Sequence, residues 1–199
     1  MKIEIRVELI KCASYFMAKK DVRTYLNGML FESRPGITTV ISTDGCSMFA
    51  GRQETLDENV NIDFIVPASA INEVLKIKHS GTFITIDTDN WMIYAGGRTL
   101  TFVPIDGRYP DWRSLFHYHL TDKVTIPNPT RPIFIAFSQL EKVYKACLVL
   151  NRYGNPVNYS YRETVNLYVI EAGSMIAICM PVRSPNDGIR FDEYAWLTS

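Results

Sequence analysis

Three sets of side chains in this sequence have types and spacing that bear on chemistry. His117 and His119 are two residues apart, and on a strand both imidazoles would face one side and could hold a metal. No cysteine or third histidine lies near them, so a surface loop after Trp112 accounts for them better. Asp87 and Asp89 lie in TIDTDNW, where a calcium loop would need more oxygen ligands at set spacing. This stretch reads as a hairpin turn, as do Asp44-Gly45 and Asp106-Gly107, because Asp, Asn and Gly tolerate turn geometry. The third set is lysine: Lys11, Lys19 and Lys20, then Lys76 and Lys78 beside His79, then Lys142 and Lys145. Within one helix such lysines are ordinary solvation or complement the helix C-terminal dipole. Their recurrence in three helices points to a shared basic surface. No glycine-rich phosphate loop, nucleophile elbow or zinc spacing is present, so the chain reads as a non-enzyme without a cofactor.

The elements that position these residues recur three times. The first copy is a strand KIEIRVE, a helix LIKCASYFMAKK, and strands YLNGMLFE, TTVIST and SMFAGRQ, from Lys2 to Gln53. The second is IDFIVP, ASAINEVLKIK, TFITIDT, NWMIYAG and RTLTFVPI, from Ile62 to Ile105. The third is PIFIAFS, QLEKVYKACLVL, VNYSY, TVNLYVIE and SMIAICMPV, from Pro132 to Val182. Apolar residues at helical spacing mark each helix: Leu9, Ile10, Ala13, Phe16 and Met17; Ile71, Val74, Leu75 and Ile77; Leu140, Val143, Tyr144 and Cys147. One unit cannot bury both its helix face and its sheet face alone, so copies must pack together. With three copies, one lacks an obvious partner.

Composition fits a globular α+β protein with a sizeable core: 199 residues, 47% hydrophobic and 21% charged. The formal net charge is +0, which argues against a simple basic nucleic-acid binder but leaves room for a local basic face. No apolar run is long enough to span a bilayer, and MKIEIRVELIK carries charges throughout, unlike a signal peptide. Cys12, Cys46, Cys147 and Cys179 form no close pair and read as buried free thiols, consistent with a reducing cytoplasm. The segment 123–132 carries Pro127, Pro129 and Pro132 and reads as a linker. The expected division is a two-unit domain over 1–122, a half domain over 131–183, and a tail over 184–199 that carries the aromatic FDEYAWL.

Local sequences then become recognisable. DVRTYLNGMLFE (Asp21 to Glu32) with VISTDG (Val40 to Gly45) closely resembles the middle domain of bacterial sliding clamps, the beta subunit of the replicative DNA polymerase. FIVPASAINEVLKI and FVPIDGRYPDWRSLF resemble the second half of that domain, and ICMPVR (Ile178 to Arg183) is similar to the final clamp strand. The resemblance covers nearly the whole chain up to Arg183. It implies a DNA-clamp-like fold built as one full clamp domain plus the last unit of the third. The first domain and the first unit of the third have no counterpart, so the family's dimeric ring is not expected unchanged.

The resemblance also implies two sites. A peptide-binding pocket between middle and last domains would use Leu26, Thr43, Gly45, Met48, Pro110 and Leu115 on one wall. Ile178, Met180, Pro181, Val182 and Arg183 would form the other. Cys46-Ser47-Met48 stands where the family has His-Arg-Leu, and Ser114 where an arginine is common, so the pocket is expected to be less basic. Clamps line their hole with helices, which makes Lys11, Lys19, Lys20, Lys76, Lys78, Lys142 and Lys145 candidates for weak, sequence-independent duplex DNA proximity. Ala68 and Ser69 stand where basic residues are frequent, which weakens that face. The implied role is a processivity-type accessory that binds polymerases and other proteins carrying clamp-binding motifs. The alternative is an interaction module that sequesters such peptides, or the clamp loader, without encircling DNA. The family ring holds twelve units, so three per chain implies a ring of four chains, slightly preferred to a dimer in which two third units complete one pseudo-domain.

Overall fold

The computed structural model describes residues 1–55, 59–78, 82–114, 135–150, 158–162, 167–172 and 175–181. Strand β1 (Lys2–Arg6) alternates exposed Lys2 and Glu4 with buried Ile3 and Ile5, and runs straight into helix α1 (Val7–Ser14). A 3-10 turn at Thr24–Asn27 leads into β2 (Gly28–Arg34), β3 (Ile37–Thr43) and β4 (Ser47–Glu54). The second copy is β5 (Ile62–Pro67), α2 (Ala68–Lys76), β6 (Phe83–Asp87), β7 (Met92–Ala95) and β8 (Arg98–Thr101). The third is α3 (Phe137–Leu150), β9 (Asn158–Arg162), β10 (Leu167–Ala172) and β11 (Met175–Cys179).

The strands form two antiparallel sheets, one ordered β1-β6-β7-β8 and the other β5-β2-β3-β4-β11-β10-β9. The first two copies exchange their opening strands: β1 joins β6, and β5 joins β2. Each copy therefore completes the other's sheet, which is how the expected mutual burial is met. The third copy joins differently, through β11 against β4. One sheet thus carries strands from both sides of the proline-rich segment.

The central strands β2, β3, β4 and β11 of the seven-stranded sheet are buried on both faces for most of their length, and the period-two pattern sorts side chains between two cores. Met29, Phe31, Val40, Phe49, Phe64, Val66, Ala177 and Cys179 point to a large core shared with the helices. Leu30, Ile41, Met48, Ala50, Ile65 and Ile178 point to a smaller core on the outer face. Helix α1 is central in the helix layer, packing against α2 and against α3.

Three local expectations need correction. The first helix spans Val7–Ser14, not residues 9–20. Phe16 and Met17 mimic helical spacing because they are buried from the loop that follows, where Phe16 packs on Phe49. Lys19 and Lys20 accordingly lie beyond the helix. In the third copy Phe137 and Ser138 are helical, since the Ala136 carbonyl accepts from the N–H groups of Gln139 and Leu140. Cys46 is exposed and Cys147 half-buried, whereas Cys12 and Cys179 are buried. His117, His119, the linker 123–132, Leu115, Val182, Arg183 and the tail 184–199 lie outside the described residues.

Candidate functional site

The outer core exists because two segments cover the sheet face that the helices do not. After α1 the chain turns back, with Ala18 N–H donating to the Leu26 carbonyl at 3.2 Å, and drops Leu26 onto the sheet. After β8 the chain crosses the same face and lays down Ile105, Tyr109 and Trp112. The Ile105 N–H donates to the Ile65 carbonyl at 3.0 Å, and the Tyr109 hydroxyl accepts the Thr43 N–H at 3.1 Å. Burial pushes the Tyr109 phenol well above its usual range, so it stays neutral there.

At one end of this core lies the β3–β4 hairpin. Asp44 Oδ1 accepts from the Cys46 and Ser47 N–H groups at 3.0 and 2.8 Å, and the Thr43 hydroxyl donates to the Ser47 carbonyl at 2.8 Å. Gly45 takes φ +87, a region that favours glycine, with the Arg23 guanidinium 2.7 Å from where a Cβ would stand. The third copy grips the hairpin from the other side. Met180 N–H donates to the Cys46 carbonyl at 2.9 Å, and Gln139 Nε2 donates to the same oxygen at 3.3 Å. Lys142 pairs with Asp44 and reaches the Ser47 hydroxyl at 3.0 Å. Burial alone would raise the Asp44 carboxyl, but Lys142 and the two backbone N–H groups hold it below the usual carboxylate range.

These contacts bring most of the expected peptide-site residues together. Leu26, Met48 and Ile178 share the outer core, with Met48 directly opposite Ile178 across the β4–β11 pairing. Thr43 and Gly45 form the hairpin rim, and Pro110 adjoins Tyr109. Met180 is 50% exposed and Pro181 half-buried at the end of β11, so an apolar ledge is open beside a closed apolar floor. Tyr25, Arg23, Tyr109 and Gln139 were not singled out from sequence. Tyr109 lies inside the DGRYPD signature and was the one with a sequence signal.

The lysines separate into two classes. Lys11, Lys19, Lys20 and Lys78 are exposed and make no ion pair among the described residues. Lys76 pairs with Glu73 at 2.6 Å and Lys145 with Glu141 at 2.7 Å, both exposed pairs. Lys142 is turned to the hairpin instead and is not available to phosphate. Asp87 accepts from the Asp89 N–H at 3.0 Å and from Asn90 Nδ2 at 3.0 Å, which closes the β6–β7 turn. Among the described residues no three metal-ligating side chains cluster, and no helix is long and apolar enough to cross a membrane.

Known proteins resemble this chain in sequence and in fold. Residues 3–111 match the DNA polymerase III beta subunit, central domain. The beta sliding clamp of Escherichia coli strain K12 is 30% identical over 171 residues, covering 82% of this chain and 41% of that protein. The beta sliding clamp of Buchnera aphidicola is 32% identical over 112 residues, covering 54% and 30%. This chain therefore spans about two-fifths of the length of the E. coli relative. A putative DNA polymerase III beta subunit from Eubacterium rectale superposes with TM-score 0.73 at 16% identity, covering 92% of this chain and 66% of that one. The beta subunit of Thermotoga maritima superposes with TM-score 0.68 at 14% identity, covering 96% and 66%. A Pseudomonas aeruginosa sliding clamp solved bound to griselimycin gives 0.67 at 15% identity, covering 92% and 66%.

Proposed function

This chain belongs to the DNA polymerase III beta-subunit family, the sliding clamps, and from that premise we propose that it is a clamp-like accessory of DNA replication or repair. It docks short apolar peptides of polymerases and related partners on the outer core, and presents α1 and α2 to duplex DNA. The observation that carries this reading is the β4–β11 pairing, which sets Met48 opposite Ile178 and builds one apolar surface from two repeat copies. A flexible methionine at the rim, Met180, suits varied apolar side chains. An aromatic or leucine anchor would supply most of the affinity. No catalytic step is assigned to it, and it works in the cytoplasm.

The test is a titration of a fluorescent clamp-binding peptide taken from a replicative polymerase. Saturable binding in the micromolar range, about −8 kcal/mol at 1 μM, is expected. No saturation at about 1 mM would reject the peptide site.

A second reading is favoured by the ion pairs of Lys76, Lys142 and Lys145, which leave the helix face less basic than its lysine count suggests. In that reading the chain captures clamp-binding peptides, or the clamp loader, and never encircles DNA. Retention on nicked circular plasmid with release upon linearisation supports encirclement. Peptide binding without such retention supports the sequestering module. Either way the chains associate with one another, as a ring of four or as a dimer.

A further inference from the structure

Helix α3 has two apolar sides. One, with Val143 and Ala146, is buried in the large core against α1. The other carries Phe137, Leu140, Tyr144 and Leu148, which are 83%, 42%, 63% and 55% exposed. Their spacing of three, four and four residues makes one continuous stripe along the helix. Four large apolar side chains on one open helix face exceed ordinary scattered exposure and mark an interaction surface.

A second feature lies in the same copy. β9 ends the seven-stranded sheet, and its outer edge pairs with no strand among the described residues. An unpaired edge offers a row of backbone donors and acceptors to another chain.

The first two copies show what covers these positions. There α1 packs on α2, and the first strand of each three-stranded run, β2 or β6, receives the opening strand of the other copy. In the third copy α3 and β9 hold the equivalent places in the repeat order, and no fourth copy packs on them among the described residues. We propose that the third copy binds the third copy of a second molecule of this chain, α3 against α3 across a two-fold axis, at the Phe137–Leu140–Tyr144–Leu148 stripe. A two-fold contact must be self-complementary. The stripe meets this condition: it is apolar along its centre, and Glu141 and Lys145 lie one turn apart along one flank, where each can face the opposite charge of the other molecule. The β9 edge belongs to the same copy, and the other molecule can extend the sheet there.

This inference rests on the self-association part of the proposed function and not on the peptide site. The test compares the wild type with Leu140→Glu/Leu148→Glu and, separately, Tyr144→Lys by sedimentation equilibrium. The wild type is expected at an even multiple of the chain mass at about 100 μM, and each variant at a smaller mass with unchanged circular dichroism. All three side chains are exposed in the single chain, so either variant alone serves if the other folds poorly. A monomeric wild type, as expected if an unrelated protein covers the stripe, overturns the proposal. So does a wild-type mass that both folded variants retain. Peptide titration of the variants separates the two readings, since lost association with retained peptide binding leaves the peptide site standing.

Discussion

Lys142 on α3 is ion-paired with Asp44 in the β3–β4 hairpin, 98 residues away in sequence. Both side chains are mostly buried, at 22% and 24% exposure, and the Ser47 hydroxyl joins them. The pair ties the third copy to the first beside the candidate peptide site. Lys142→Ala leaves the mostly buried Asp44 carboxylate without its counter-charge, held only by the Cys46 and Ser47 N–H groups and the Ser47 hydroxyl. A loss of about 1–3 kcal/mol is expected, measured by urea unfolding. An unchanged midpoint would show that the pair contributes nothing to the junction.

The same pair sets a pH dependence. The folded Asp44 carboxyl lies below its ordinary value of 3.8, so its contribution is fully present above that pH. It is lost as pH falls through the depressed folded value. Thermal unfolding from pH 6 to pH 3 should therefore fall more steeply for the wild type than for Asp44→Asn, which has no proton to take up. Parallel curves would contradict the assignment.

Gly28 opens β2 where two strands and the covering segment converge. A Cβ there would stand 2.6 Å from Ile65 Cγ2 and 2.8 Å from both Ile105 Cδ1 and the Val66 carbonyl oxygen. The carbonyl belongs to the paired strand β5 and cannot swing away. Gly28→Ala should cost about 1–3 kcal/mol through overpacking, read as a lower midpoint in urea. A neutral result would mean that β5 shifts freely.

Met180→Ala tests the rim of the peptide site. The side chain is half exposed, so its loss should leave the melting temperature nearly unchanged. Affinity for the polymerase peptide should fall about 5- to 30-fold, as for loss of a buried apolar contact of about 1–2 kcal/mol. Equal affinity in wild type and variant would remove Met180 from the site.

Lys11, Lys19 and Lys20, which like Lys78 are exposed and make no ion pair among the described residues, should carry part of the DNA association. Replacing the three with alanine should flatten the dependence of duplex binding on salt, each phosphate contact contributing about 0.9 to the logarithmic slope. Lys142→Ala should leave that slope unaltered. Binding that ignores both salt and the triple substitution would count against a DNA-facing helix layer.

The repeat and the alternation of each strand were legible because both are local patterns. IDFIVP, for instance, coincides with β5, Ile62–Pro67. Leu26, Met48 and Ile178 could be named from resemblance, and they meet in one core. Partners chosen over long range were not legible. Lys142 shares a helix with Lys145 and reads like a solvated lysine until Asp44 is brought to it. Phe16 and Met17 extend a helical rhythm through a loop, because burial rather than helix geometry sets their apolar character. Phe137 sits in an apolar run that reads as strand, yet the backbone has already turned helical there.

The join between β4 and β11 has no turn to set its alignment; only the ladder and the side chains do. Strand side chains alternate, so a slip of one residue would rotate Ile178 away from the outer face and bring Ala177 or Cys179 beneath Met48. The apolar floor then disappears, although every residue of it is still in the chain. If the proposed peptide site is correct, it is a coincidence detector: a peptide would find it only when the first and third copies are both folded and correctly aligned. Any event that detaches the third copy would release the bound peptide in the same step.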